Sequence, residues 1–268
     1  MQSFSAINQL PNLDSKLPIT VLITTFNEEV NIAAAIDSVV EWAGEVMVVD
    51  SFSTDKTVEI VQKNPQIKFF QRLYFGPAAQ KNWAIPLASN EWVLLMDADE
   101  RVTPSLRDEI KNNLNAKTDF DAFWIGFTHY FMEKKVRYSG WQNDKTVRLI
   151  RRDKCRYNAN RVHEEIITEG VKVGELKNKF EHFTFRNFDH FVAKQQRYAT
   201  WSAEDYADKT GTVTYFHLFL KPVFRFFKHF IIKKGFLDGK IGFVISAVAS
   251  WSVFLRYVKI IENRRQKK

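Results

Sequence analysis

The sequence predicts an α/β fold, a doubly wound, Rossmann-like mixed sheet followed by an amphipathic helical extension at the C-terminus. Three observations carry the prediction. Strand-like and helix-like segments alternate through residues 19–113, the run Trp92-Val-Leu-Leu-Met96 is apolar without alternation, and the charge changes character near residue 213. A strand with no polar face is one covered by helices on both sides, the habit of a parallel sheet.

At 268 residues the chain is long enough for one large core. Its 24 Phe, 8 Tyr and 7 Trp make it unusually aromatic, so apolar surface beyond an ordinary core needs covering. The single cysteine, Cys155, forms no internal disulfide, and the first residues lack a basic start followed by an apolar run, so the chain reads as reduced and unexported. Residues 213–268 hold 12 Lys/Arg against 2 Asp/Glu, which leaves 27 against 29 for residues 1–212. The first part reads as a near-neutral globular body and the second as a basic, Phe-rich extension that needs an anionic or apolar partner.

The elements follow in order. Residues 19–23 (ITVLI) form a strand, residues 29–40 have helical spacing, and residues 45–49 form a second strand ending at Asp50. "STDKT" opens a helix reaching about residue 63, residues 67–70 form a short strand, and Gly76-Pro77 begins another helix. After the strand at 92–96, Thr103-Pro104 places a cap before a proline at the start of a helix running to about residue 113. Beyond residue 120 the style changes to antiparallel: strands at 121–131 and 146–150, a polar turn at 133–135, and shorter strand candidates near Ile166 and Phe180. A helix over 188–207 closes the body.

The strand at 92–96 runs straight into Asp97, Asp99 and Glu100. In open α/β sheets ligands bind outside the carboxyl ends of the strands, where these acids fall. Side chains two apart on extended backbone point the same way, so Asp97 and Asp99 face one ligand while Ala98 admits its close approach. Such a pair suits a hard divalent cation, Mg2+ or Mn2+, which also neutralises a phosphate. Against this stands a plain solvated turn with Glu100-Arg101 as a surface pair.

Three more stretches fall at carboxyl ends of predicted strands: "TTFNEE" from Thr24, "VVDSFSTDKT" around Asp50, and "GPAAQKNWA" from Gly76. In order and spacing from "DAD" they resemble the family 2 glycosyltransferases of GT-A fold. The resemblance implies a nucleotide-sugar donor, with Thr24, Thr25, Phe26 and Glu28 holding uracil and ribose and Asp50 bonding the base edge. It further implies Gln80 or Lys81 near the phosphates or base, Asp97 on the ribose with Ala98 alongside, and Asp99 on the metal. Taken singly, Asp50 also reads as a neighbour of a helix cap and Lys81 as a solvated helix residue. The sequence departs from the family's usual Pro-x-Tyr at Thr24-Thr25-Phe26, where the base stacks.

Further on, "GWQNDKTVRLIRRD", "RVHEEI", "EHFTF", "KQQRYATWSAEDYA" and "KKGFLDGKIGFVIS" look like the subgroup of glucosyltransferases that act on inner-core heptose of bacterial lipopolysaccharide. That likeness implies a UDP-hexose donor, glucose in particular, and a glycolipid or saccharide acceptor. An inverting transfer needs a carboxylate base, and the matching position is Glu164, with Glu165 and Asp144 as further candidates. His182 in "EHFTF" stands where many GT-A enzymes supply a metal ligand; beside Phe180 and Phe183 it equally reads as a core histidine.

A nucleotidyltransferase shares the layout and paired acids but begins with a Gly-rich loop, absent from "TTFNEE". A nucleic-acid binder uses basic residues and aromatics too, yet "YFHLFLKPVFRFFKHFII" is too apolar for a solvated groove, so nucleic acid is not the expected partner. In the extension Lys221, Arg225 and Lys228 recur at helical spacing, Pro222 bends or restarts the helix, and residues 241–255 are uncharged for a length short of the ~20 residues of a bilayer span. The expected partner is the anionic inner face of the cytoplasmic membrane, met peripherally.

Overall fold

The computed structural model describes residues 16–158, 165–185 and 187–266. Four parallel strands form one half of the sheet: β1 (Leu17–Thr25), β2 (Ala43–Asp50), β3 (Ile67–Gln71) and β4 (Trp92–Asp97). Helices α1 (Ile32–Asp37), α2 (Thr57–Gln62) and α3 (Pro77–Ala84) connect them, and α4 (Pro104–Asn115) follows. The other half holds β5 (Glu100–Arg101), β6 (Ala122–Phe131), β7 (Lys134–Val136), β8 (Lys145–Arg151) and β9 (Val173–Phe185). The strand order is β3-β2-β1-β4-β8-β6-β9-β5, with β7 paired to β6. The sheet is therefore mixed: β8 runs antiparallel to β4 and β6, whereas β6 and β9 are parallel.

Both faces of the parallel half are covered, which is why β1, β2 and β4 carry unbroken apolar runs. On one face Ile19, Val21, Ile23, Leu94 and Met96 pack with Ile32, Ile36, Leu106 and Ile110; on the other Leu22, Met47, Val93 and Leu95 pack with Ala84, Ile85 and Cys155. The register aligns Thr24 with Asp97 and Thr25 with Asp50 at the carboxyl ends, and because successive side chains alternate, the two pairs lie on opposite faces of the sheet.

Several boundaries differ from the sequence reading for local reasons. The helix expected over 29–40 is regular only in α1: Asn27 takes φ 53°, and beyond α1 the Ser38 hydroxyl donates to Ala35 O while Trp42 Nε1 donates to Ser38 O. Such side-chain bonds compete with continued helix. In place of a short strand near Phe180 stands the long β9, whose register against β6 shifts at Trp124/Gly126 and His129/Phe131, breaking the alternation that would reveal it. Ile166 forms only an isolated bridge with Tyr157.

Helix α5 (Phe188–Ala207), opened by Asn187 Oδ1 accepting from His190 N at 2.8 Å, carries the C-terminal part. After two π-helical turns around α6 (Lys221–Phe227) and a tight 3-10 turn at Gly235–Asp238, α7 (Gly239–Gln266) runs back along α5. Phe191 of α5 packs with Ile245 and Val248 of α7 and with Phe131 and Val136 of the sheet, and Ala203 packs with Val253, Tyr257 and Ile260. Gly242 lets α7 touch the preceding turn, where a Cβ would fall 1.8 Å from Gly235 O. The helix spanning 235–266 is, by length and composition, long enough to cross a membrane, and 39% of its most apolar window is buried against the rest of the protein.

Candidate active site

Asp97, at the end of β4, lies in a network of ions. Its Oδ1 is 2.8 Å from Lys81 Nζ of α3, and its Oδ2 is 2.7 Å from Arg148 Nη2 of β8. Thr24 Oγ1 donates to Oδ1 at 3.0 Å. Burial opposes the charge on Asp97, yet Arg148 and Lys81 hold its carboxyl well below the ordinary aspartate range. Arg148 Nη2 also reaches Glu100 Oε1 at 2.7 Å, and Glu100 Oε2 accepts from Asp97 N at 3.0 Å. Glu100 is fully buried, and that burial, opposed by Arg148, pushes its pKa up to about 7. The surface pairing of Glu100 with Arg101 is thus replaced by a buried ion pair with Arg148.

Beside this network two histidine–aspartate pairs lie side by side. His182 Nε2 of β9 is 3.3 Å from Asp99 Oδ2, and His129 Nε2 of β6 is 3.1 Å from Asp144 Oδ2. Cross-strand pairing sets His129 against His182, with ring centroids 5.1 Å apart. Burial disfavours charge on both rings; it lowers the pKa of His129, whereas Asp99 outweighs it and raises that of His182. Asp144 is lowered chiefly by its bond to His129, and Asp99 is lowered because His182 overcomes the cost of burial. Nδ1 of His182 is buried and has no hydrogen-bond partner among the described residues.

The remaining predicted residues surround these groups. Asp50 is wholly buried and accepts from Ser53 N at 2.9 Å, from the Ser53 hydroxyl and from Gln71 Nε2 at 3.1 Å. Gln80 is held by Ser51 Oγ and Arg72, and Ala98 is buried with its carbonyl accepting from Arg101 Nη1. Thr25 is buried, Phe26 is 55% exposed, and Glu28 Oε2 accepts from Asn31 Nδ2 at 2.8 Å. Phe26 and Glu28 line a cleft of about 690 Å³ whose opposite wall comes from α5 and α7. Glu164 lies outside the described residues. Glu165 is exposed, and its carbonyl accepts from Asn158 N at 2.9 Å, which ties together the chain on either side of residues 159–164. The adjoining Tyr157 ring lies 5.6 Å from Lys81 Nζ, so this tie sits beside the Asp97 network.

Sequence reasoning passed over Arg148, the structural role of Glu100, and His129. Arg148 left a signal: it is the one charge in the apolar run Val147–Ile150, and a buried arginine requires acids. His129 left none, because only the β6–β9 register brings it beside His182.

A mixed, doubly wound sheet with acids gathered at the carboxyl ends of its strands, beside an open cleft, defines a GT-A type glycosyltransferase. The chain belongs to glycosyl transferase family 2, whose family model matches residues 20–189. It is 28% identical over 257 residues to the lipopolysaccharide core biosynthesis glycosyltransferase LpsC of Rhizobium meliloti (strain 1021), covering 94% of this chain and 95% of that one. It is 31% identical over 268 residues to an uncharacterized glycosyltransferase of Rickettsia conorii, covering 93% and 92%. Among solved structures, a mannosyltransferase from Pyrobaculum calidifontis in complex with GDP-Man and Mn2+ shares the fold, with a TM-score of 0.50 over 97% of this chain and 90% of the other at 16% identity.

Proposed function

We propose that this glycosyltransferase is inverting and metal-dependent, and that it moves a hexose, glucose by the sequence resemblance, from a UDP-sugar to a lipid-linked saccharide such as a lipopolysaccharide inner core. The observation that carries the reading is the Asp99–His182 pair beside the Asp97 network. Its 3.3 Å separation matches the edge between neighbouring ligands of an octahedral cation, about 3 Å for bonds of ~2.1 Å. Carboxylate oxygen and imidazole nitrogen fit Mg2+ or Mn2+. Among the described residues no three His, Cys, Asp or Glu groups converge on one point, so in this reading Asp99 and His182 leave room for donor oxygens and water. Such a cation neutralises charge on the departing diphosphate.

The other residues divide the donor between them. The Thr24–Glu28 segment holds uracil and ribose, with Asp50 at the base edge oriented by Ser53 and Gln71. Asp97 takes the ribose, kept ionised by Lys81 and Arg148. Gln80 braces the site through Arg72 and Ser51. Glu164 takes the proton of the acceptor hydroxyl as it attacks the anomeric carbon from the face opposite the diphosphate; Glu165 and Asp144 are the other carboxylates for this role. Asp144 reaches the site through His129, and the chain flanking Glu164 through Tyr157.

Residues 213–268 serve in this reading to place the enzyme on the cytoplasmic face of an anionic membrane. Phe216, Phe219, Leu220, Phe224, Phe227 and Ile231 are each more than half exposed and recur at helical spacing, with Lys234 and Lys240 exposed near them. An apolar stripe of this size on a helix calls for a lipid surface, and basic residues add attraction to anionic headgroups. The test of the reaction is a panel of nucleotide sugars assayed for released UDP or GDP with lipopolysaccharide core as acceptor. UDP release with a UDP-hexose is expected from the wild type, and Glu164→Gln is expected to bind that donor while losing ~10²–10⁴-fold in transfer. Turnover of a GDP-sugar alone would overturn the UDP assignment.

A further inference from the structure

The cations closest to the acids are already matched. Lys81 and Arg148 face Asp97 and Glu100, and Arg101 is spent on the carbonyls of Ala98 and Glu100 and on the Phe183 ring. Two other cations, Arg197 of α5 and Lys259 of α7, line the 690 Å³ cleft and have no hydrogen bond or ion pair among the described residues. They face Phe26, Asn27 and Glu28 at the end of β1 across that cleft. Among the described residues Glu28 is the one acid of this lining against the two cations, so the cleft keeps an excess of positive charge that attracts an anion.

The cleft also adjoins the acids. His190 and Arg197 share one face of α5 with Lys194, whose charge bears on Asp99, and Glu28 bears on Arg101. An anion in the cleft thus lies between the β1 loop and the two C-terminal helices, on the side from which Lys194 acts on Asp99.

We infer that Arg197 and Lys259 form a second wall of the donor site, contributed by the C-terminal helices, that holds the diphosphate of the nucleotide. The inference rests on the nucleotide-sugar reading above. It gives α5 and α7 a part in donor binding besides their part in packing. A long, flexible lysine and an arginine fork reach phosphate oxygens that the paired cations of the sheet cannot serve.

The experiment is calorimetric titration of the full-length protein with UDP and with uridine, Mg2+ present throughout, in the wild type, Arg197→Ala, Lys259→Ala and Arg197→Lys. Neither side chain is fully buried, so truncation leaves the fold intact, and an unchanged thermal midpoint checks this. Each alanine variant is expected to weaken UDP by about 10-fold and uridine by less than about 2-fold, with Arg197→Lys in between. UDP affinity unchanged in both alanine variants, or UDP and uridine weakened equally, would overturn the inference. Failure of the wild type to bind either ligand would instead remove the UDP reading on which it rests.

Discussion

Arg148 holds two acids at once, and its removal is the most informative single change near the site. With Arg148→Met, Glu100 and Asp97 lose their shared cation inside the protein. Breaking a buried pair by removing one partner costs about 3–5 kcal/mol, because the orphaned charge stays buried. Arg148→Met combined with Glu100→Gln should recover a good part of that loss, since a neutral amide accepts the site's low polarity. Urea unfolding of the single and double variants checks this, and equal destabilisation in both would show that the pair contributes little. At this scale the sequence marked Asp97 and Asp99 as candidates because a strand end followed by closely spaced acids has a local signature, whereas His182 was marked only by the family resemblance of "EHFTF". Arg148 and His129 belong to β8 and β6, and only tertiary pairing brings them to the acids.

The joint between the C-terminal hairpin and the sheet is built on one carboxylate. Asp238 accepts from Arg137 N and Tyr138 N at 3.0 Å each and from Ser139 Oγ at 2.8 Å, while His229 Nδ1 donates to Ser139 O at 3.0 Å. The loop so held leads to Trp141, packed on His129, and to Asp144. Asp238→Ala should therefore destabilise by about 1–3 kcal/mol in urea unfolding, chiefly through the buried Ser139 hydroxyl, since Arg137 N is open to water. The joint is also sensitive to acid. Burial, aided by Arg225, depresses the His229 pKa to about 4, against about 6.5 in an unfolded chain. Between those values the unfolded chain binds more protons, so the stability His229 contributes is full above pH 6.5 and is lost as pH falls toward 4. The thermal midpoint of His229→Phe should fall less between pH 7 and pH 5 than that of the wild type; an equal fall would contradict the joint's acid sensitivity. Among the elements, β4, α4 and α5 were legible because apolar runs, a Thr-Pro cap and helical spacing are local. The long β9 was not, since its bulges hide the period, and α1 was shortened by side-chain bonds that periodicity cannot register.

At the scale of the whole molecule the charge changes near residue 213, from 27 Lys/Arg against 29 Asp/Glu before it to 12 against 2 after it, and that change is legible in the sequence. The sequence did not show how α7 packs against α5, because the two helices lie far apart in the chain and their contacts are tertiary. Membrane attachment is tested by flotation with vesicles. The wild type should float with anionic but not neutral vesicles, less so at high salt, and Phe219→Ser/Phe224→Ser/Phe227→Ser should stay in solution; a triple variant that floats as well as the wild type would contradict the attachment. The reaction itself is tested most directly by UDP-glucose turnover in the wild type and in Asp99→Asn, each with Mn2+ and with EDTA. The expected result is turnover in the wild type with Mn2+ alone, and a loss of roughly 100-fold or more in Asp99→Asn, since a bound cation contributes several kcal/mol to stabilising the leaving group. Full turnover by Asp99→Asn in EDTA would contradict the account.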